Sequence, residues 1–388
     1  MAAIEFTVPR GAILFERDGF KYEFRDNLGE AHHGLSLLVA RRRTLEGNHP
    51  RGRVLLKAVG AQPSQDATRI KRAREKLEEQ VRLATFLDHP AILRVHGLHK
   101  AEGAWYVITE HPVGHSVCEL LTLAGECGRR FSPSFALYVG ARAAAALEHA
   151  HEATDGQGKP LHIVHRAVDV GTLFVDWKGG VQLADFGLAL SNLPGRVSST
   201  VRRPLGDSFY SSPEMLLTGC VDARSDLFAL GVVMLEIATG RNLLDAPDDV
   251  TDAVKDSLSR RQRGRVRRAL KRAELAECHP LVEDAIWRAA TYTQADLEAL
   301  TENLPQGLRL ILRKLLQRSP EDRYPSAREL AADLRRWTGG EEVFGKEEAE
   351  AELLALVKQS GEALAELGIR RPRGSEVYDE VSKSQGCP

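Results

Sequence analysis

The 388-residue sequence contains no C-x-x-C pair; its five cysteines, Cys118, Cys127, Cys220, Cys278 and Cys387, are scattered. That spacing excludes a zinc ribbon or a disulfide framework and fits a reducing cytosol. No stretch approaches 18 consecutive apolar residues, so no membrane-spanning helix is expected. The N-terminal MAAIEFTVPRG lacks a basic region followed by an apolar core, so no secretory leader is expected either. Neither sign of charge is in excess: 53 basic side chains face 54 acidic ones, for a formal net charge of −1. This balance argues against a dedicated nucleic-acid or membrane-surface protein. No internal repeats are evident. At 43% apolar and 28% charged residues the chain can bury a core, and global disorder is excluded. A soluble, cytoplasmic protein of one large domain or two ordinary ones is expected.

The most informative stretch is residues 162–187, HIVHRAVDVGTLFVDWKGGVQLADFG. Two apolar runs, Leu173-Phe174-Val175 and Val181-Gln182-Leu183, flank a turn at Lys178-Gly179-Gly180 and predict a short hairpin. It lies between His165-Arg166 and Asp185-Phe186-Gly187. Upstream, AILFERDGFKYEFR (12–25) alternates around Asp18-Gly19, another hairpin signal. In the following LGEAHHG, Gly29 and Gly34 could let backbone N–H groups approach phosphates, although an ordinary turn explains the stretch equally well. VLLKAV is an apolar strand carrying one cation, Lys57. Residues 66–87 read as a charged amphipathic helix running into Leu87-Asp88-His89-Pro90. Two further strands, ILRVHGL and AWYVITE, lead to Thr109 and Glu110. Helices are expected over 116–126 and 132–153, and VDARSDLFALGVVMLEIATG reads as a further, apolar helix.

This order of motifs resembles the protein kinase family, in its bacterial Ser/Thr branch, over residues 12–337. The resemblance implies an α+β, two-lobed fold: an N-lobe antiparallel sheet with its C-helix (1–111), a mainly helical C-lobe (112–340), and a C-terminal helix and tail (341–388). It implies ATP and Mg²⁺ as cofactors. Nucleotide contacts would come from Gly29, Gly34, Lys57, the gatekeeper Thr109, the hinge residue Glu110, and Asp185. Magnesium would be held by Asp185 and, in place of the family's asparagine, Thr172. Asp226 would tie down the His165-Arg166 loop, and Arg323 would pair with Glu214 of the Ser212-Pro213-Glu214 motif.

Four positions depart from the family pattern. Ala167 stands where the catalytic aspartate belongs, and a methyl group neither orients a hydroxyl nor accepts its proton. Thr172 replaces the second metal ligand. Ala31 replaces the middle glycine of the phosphate loop. Gln80 falls where the lysine-pairing glutamate belongs, and Glu79, one residue away, should face elsewhere because one residue turns a helix by 100°. Asp169, two residues past Ala167, is the one candidate for a displaced base.

The resemblance and its departures imply a pseudokinase that binds nucleotide weakly and serves as a signalling or scaffold partner. Its partner would be a protein of a signalling pathway, another kinase among the candidates, with no nucleic acid or membrane partner. The alternative is a slow Ser/Thr protein kinase using Asp169; a kinase-fold enzyme moving a different group from ATP is a third class. Ser198, Ser199 and Thr200 would be acceptors for phosphorylation near Arg196, Arg202 and Arg203. Two segments lie outside the resemblance: a long insert at 245–305, with eight Lys or Arg between 260 and 272, and a helix over 346–368. The helix has an apolar stripe at Ala349, Leu353, Leu356, Ser360, Leu364 and Leu367, expected to pack back on the domain. The remaining tail reads as disordered.

Overall fold

The computed structural model describes residues 8–31, 35–60, 67–196, 207–245, 248, 250–276, 278–337 and 344–366. Alternation of apolar and polar side chains gives the N-lobe its strands: β1 (Ile13–Arg17), β2 (Phe20–Ala31), β3 (Leu35–Thr44), β4 (Pro50–Val59), β5 (Val95–Ala101) and β6 (Ala104–Glu110). They form one antiparallel sheet in the order β1-β2-β3-β4-β6-β5. One face buries Phe15, Tyr22, Phe24, Leu38, Val54, Leu56 and Tyr106 in a compact cluster. Helix α1 (Ala67–Ala84) packs through Ala73 and Leu77 against Leu35, Val59 and Val107 on the other face.

Beyond the hinge, the C-lobe is built on α2 (Val117–Glu126), α3 (Pro133–His151) and α5 (Ala223–Thr239). Helix α5 is buried along nearly its whole length, so its sequence is apolar all round rather than striped. Short strands β7 (His115–Ser116), β8 (Leu173–Val175) and β9 (Val181–Leu183) form a second sheet that presents the catalytic-loop region to the cleft. Gly114 permits the hinge to cross this sheet. It sits at φ +85°, and a Cβ there would lie 2.1 Å from the Val175 carbonyl oxygen, so no side chain fits.

The Ser212-Pro213-Glu214 motif opens α4 (Pro213–Leu217), where the Glu214 carboxylate accepts two 2.8 Å hydrogen bonds from the Arg323 guanidinium. The Arg323 side chain is fully buried. The 245–305 insert supplies α6 (Asp252–Ser257), α7 (Arg260–Leu275), α8 (Leu281–Thr291) and α9 (Gln294–Thr301); α10 (Gln306–Leu315) and α11 (Ala327–Trp337) then close the lobe. Arginine-rich α7 is anchored by Val266, Ala269 and Ala273, and Arg272 caps the Leu216 and Leu217 carbonyls at the end of α4.

The last described helix, α12 (Lys346–Glu366), packs back on the C-lobe. Ala349, Leu353, Leu356 and Ser360 are buried, as the stripe predicts, and Val357 beside it is buried too; the side chains of Leu364 and Leu367 lie outside the described residues. Glu352 accepts hydrogen bonds from the Ser132 backbone N–H at 2.6 Å and its hydroxyl at 2.7 Å, at the start of α3. No helix among the described residues is long and apolar enough to cross a membrane.

Candidate nucleotide cleft and catalytic loop

The cleft between the lobes opens into a cavity of about 460 Å³. Leu37, Leu55 and Lys57 of the sheet form its roof; Gly171, Thr172, Phe174, Ala184 and Asp185 line the C-lobe side. It continues past Thr109 to residues between Ile92 and Gly97. Thr109 lines the wall and is buried, and its hydroxyl has no hydrogen-bond partner among the described residues.

Lys57 projects from β4 into this cavity, and its ammonium bonds the Asp185 carboxylate directly. Asp185 adopts the left-handed region, φ 63° and ψ 63°, and accepts the Gly187 N–H at 3.0 Å, which fixes the turn into Phe186. The Gln80 amide oxygen comes to the same spot: with the Lys57 ammonium and Asp185 carboxylate it surrounds the space a Gly187 side chain would occupy. Glu79 turns away, as its place on the helix predicts. It accepts from Lys76 at 2.8 Å and from Arg196 at 3.1 Å, while Arg82 donates to the Pro194 and Gly195 carbonyls. Helix α1 is thereby tied to the described start of the activation segment.

The catalytic loop keeps its frame. Asp226 accepts the backbone N–H of His165 at 2.7 Å and of Arg166 at 2.8 Å, and bonds the His151 ring at 2.8 Å. Arg166 is held at φ 66°, an uncommon conformation for a side chain of that size, which these bonds over-determine. Its guanidinium donates to the Leu188 carbonyl. Burial, then the charge of nearby Arg196, lowers the Arg166 pKa to about 10. The His165 ring donates from Nε2 to the Ala184 carbonyl at 2.9 Å and accepts the Ala167 N–H at Nδ1, so it is neutral; it packs edge-on to Phe186.

Within that frame the polar groups are turned inward. The Asp169 carboxylate accepts the N–H groups of Gly171 and Thr172, both at 2.8 Å. The Thr172 hydroxyl lies within 3.0 Å of the Ala167 carbonyl, to which it donates, and accepts the Asp169 N–H at the same distance. Asp169 and Thr172 therefore close a turn on each other: both N–H groups fall on Oδ1 of Asp169, which leaves Oδ2 without a hydrogen bond among the described residues, while the Thr172 hydroxyl is taken up within the loop. Burial raises the Asp169 pKa to about 6, with the charge of Asp207 adding to it against the loop's own hydrogen bonds. The mutual closure escaped sequence reasoning, although an Asp followed three residues later by Thr is a known turn-forming pattern.

The remaining site residues are placed as follows. Gly29 has φ +101° and donates its N–H to the Asn27 side chain at 2.9 Å. Gly34 lies outside the described residues, as do Ser198, Ser199, Thr200, Arg202 and Arg203. Ala31 ends β2, paired with Leu35. In the hinge, the Glu110 N–H is taken by the Arg94 carbonyl at 2.8 Å, and Pro112 has none to give. Sequence reasoning had no means of finding the Arg94 contact, which depends on how β5 meets β6.

The geometry is that of a protein kinase, and the comparisons agree. Residues 51–334 match the protein kinase domain, and the chain belongs to that family. Over 259 residues it is 31% identical to tyrosine-protein kinase MasK of Myxococcus xanthus, covering 66% of this chain and 34% of that protein. It is 29% identical over 180 residues to serine/threonine-protein kinase PrkC of Bacillus subtilis (46% and 26% coverage). Against serine/threonine-protein kinase PknB of Mycobacterium tuberculosis it is 28% identical over 294 residues (74% and 39% coverage). The chain thus spans about a third of the length of these relatives.

Proposed function

We propose that this chain is a pseudokinase: a kinase-fold protein that binds ATP weakly, transfers its phosphate poorly or not at all, and acts by engaging a signalling protein. The observation that carries this reading is the closed turn of Asp169 and Thr172 beside Ala167. With a methyl at position 167 the family's position for the base holds no carboxylate, and loss of a general base typically costs about 10²–10⁴ in rate. The residues fit a nucleotide in part. Lys57 would meet phosphate oxygens and Asp185 a magnesium ion, once the bond between them opens. Bound ATP would supply a transferable phosphoryl group. Against tight binding stand the bonded N–H groups of Gly29 and Glu110 and the missing one at Pro112.

A second reading has one observation in its favour: a carboxyl with a pKa of about 6 is well matched to base catalysis near neutral pH, and Asp169 has that property. Its Oδ2 is the oxygen left to accept a proton, since Oδ1 holds the Gly171 and Thr172 N–H groups. Purified protein incubated with γ-labelled ATP, Mg²⁺ and a generic protein substrate decides between the two. Transfer abolished by Asp169→Ala establishes the slow kinase, and no transfer above a Lys57→Ala blank establishes the pseudokinase.

A further inference from the structure

The N-lobe sheet presents a second charged site, independent of the cleft. Residues directly opposite one another in paired strands share a face. Leu37 lies opposite Lys57 and Val39 opposite Leu55, and the register then sets Arg41 opposite Arg53. On the neighbouring pair, Glu23 opposes Arg41 and Lys21 opposes Arg43. The sheet face that roofs the cleft with Leu37, Leu55 and Lys57 therefore runs outward into Glu23, Arg41, Arg43 and Arg53. Arg25 joins them from the irregular step in β2 between Phe24 and Asp26.

Three of these guanidinium groups, those of Arg25, Arg41 and Arg43, thus surround one carboxylate. Glu23 is 9% exposed and both its oxygens are engaged, by Arg25 at 3.0 Å and by Arg43 at 2.5 Å. Burial opposes its ionisation, yet the hydrogen bond from Arg43 and the charge of Arg25 hold its pKa below the usual range, so it is ionised. Arg41 feels the Glu23 charge but makes no side-chain hydrogen bond or ion pair among the described residues. The Arg25 Nε is buried with no partner. Partial burial, and then the charge of Arg25, depress the Arg41 pKa, as crowding by like charges requires. An outside anion is what this cluster lacks.

We propose that this arginine face binds a phosphorylated side chain of a protein partner. A phosphoryl group offers three oxygens to forked guanidinium donors, a match that lysines do not provide. Adjacent strands lie about 4.8 Å apart and alternate residues about 6.7 Å apart along a strand, so the cluster spans the size of one such group. A long polyanion is disfavoured by the exposed carboxylates of Asp18, Asp26, Glu46 and Glu110 on the same strands and turns. The site does not require phosphoryl transfer in the cleft and holds for either reading of it.

Fluorescence anisotropy with a labelled degenerate phosphothreonine peptide pool, beside its unphosphorylated twin, tests the proposal on the full chain. The phosphorylated pool should bind and its twin should not. Arg41→Gln should weaken binding at least ten-fold without lowering the melting temperature, because it removes a crowded charge. Arg42→Gln is the control: Arg42 points to the opposite face, over the Phe20 ring, and binding should be unchanged. Lys57→Ala should also leave binding unchanged, separating this site from the nucleotide cleft. Equal binding of the two pools, an Arg41→Gln variant that binds like wild type, or tighter binding to homopolymeric RNA or phosphatidylserine vesicles would each overturn it.

Discussion

Lys57 and Asp185 neutralise each other across 128 residues of sequence, and Gln80, on the helix face turned toward them, contributes an amide where a second carboxylate would compete for the lysine. A lysine offered two carboxylates can release one to a metal ion. Offered one, it holds the carboxylate that a metal would need.

Nucleotide binding must therefore separate this pair. Titration of ATP should raise the melting temperature at millimolar ligand, approaching about 2.7 kcal/mol of stabilisation at 100-fold excess over Kd. Lys57→Ala should shrink the shift. In Asp185→Asn the lysine is released, so the shift should persist without magnesium and lose its dependence on it. A melt unmoved by ATP in the wild type refutes nucleotide binding.

Repair of the loop should be partial and cooperative. Ala167→Asp places a carboxylate in a frame that Asp226 and His165 already hold. Thr172→Asn restores an amide ligand while opening the closed turn, which also frees Asp169. Because both act on one transition state, the double variant should exceed the product of the single gains. It should stay below the usual kinase range of about 1–100 s⁻¹ until Gln80→Glu is added. Single-turnover labelling of a generic substrate measures this, and a double variant equal to wild type contradicts it.

Asp169 should leave a signature in the pH dependence of stability. Its folded pKa of about 6 exceeds the unfolded value near 3.9. Between these limits the folded state holds more protons than the unfolded one, so this group's contribution falls as pH rises from about 4 to 6 and stays low above that. Asp169→Asn keeps an acceptor for Gly171 and Thr172 but carries no charge. Its stability advantage over wild type should grow through that window, to at most about 3 kcal/mol at roughly 1.4 kcal/mol per unit, and then level off. Chemical denaturation at several pH values checks it; a difference constant from pH 4 to 8 rules the assignment out.

The Glu214–Arg323 pair should matter to folding and not to ligand binding. Arg323→Ala leaves a buried carboxylate without its counterion, which costs on the order of 3–5 kcal/mol. The variant should unfold at markedly lower denaturant while the ATP-induced shift, measured below its midpoint, is retained. Loss of less than about 1 kcal/mol would contradict the buried pairing seen here.

Much of this was legible in the chain itself. Asp226, Glu214 and Arg323 fall where the motif order puts them, because each holds backbone that the fold cannot do without. Glu79 faces away from Lys57 for the reason helix geometry gives. What the residues could not show is where a polar group finds its partner once neighbouring segments meet. Asp169 reads as a candidate base, yet it accepts two N–H groups of its own loop. Lys57 reads as a phosphate ligand, yet it bonds Asp185. The Glu110 N–H is lost to Arg94, a residue 16 positions earlier, through strand pairing that periodicity does not encode.

Glu352 also bears on how the chain folds as it is made. It holds Ser132, 220 residues upstream, by its N–H and hydroxyl, and Ser132 in turn caps the start of the helix on which the C-lobe is built. At about 5–20 residues per second of synthesis, that carboxylate emerges roughly 10–45 s after its partner. Until then, the groove that takes Ala349, Leu353 and Leu356 stands open on a nascent domain that already carries every family motif. A chain cut at residue 334, where the family match stops, would leave that apolar groove uncovered for good.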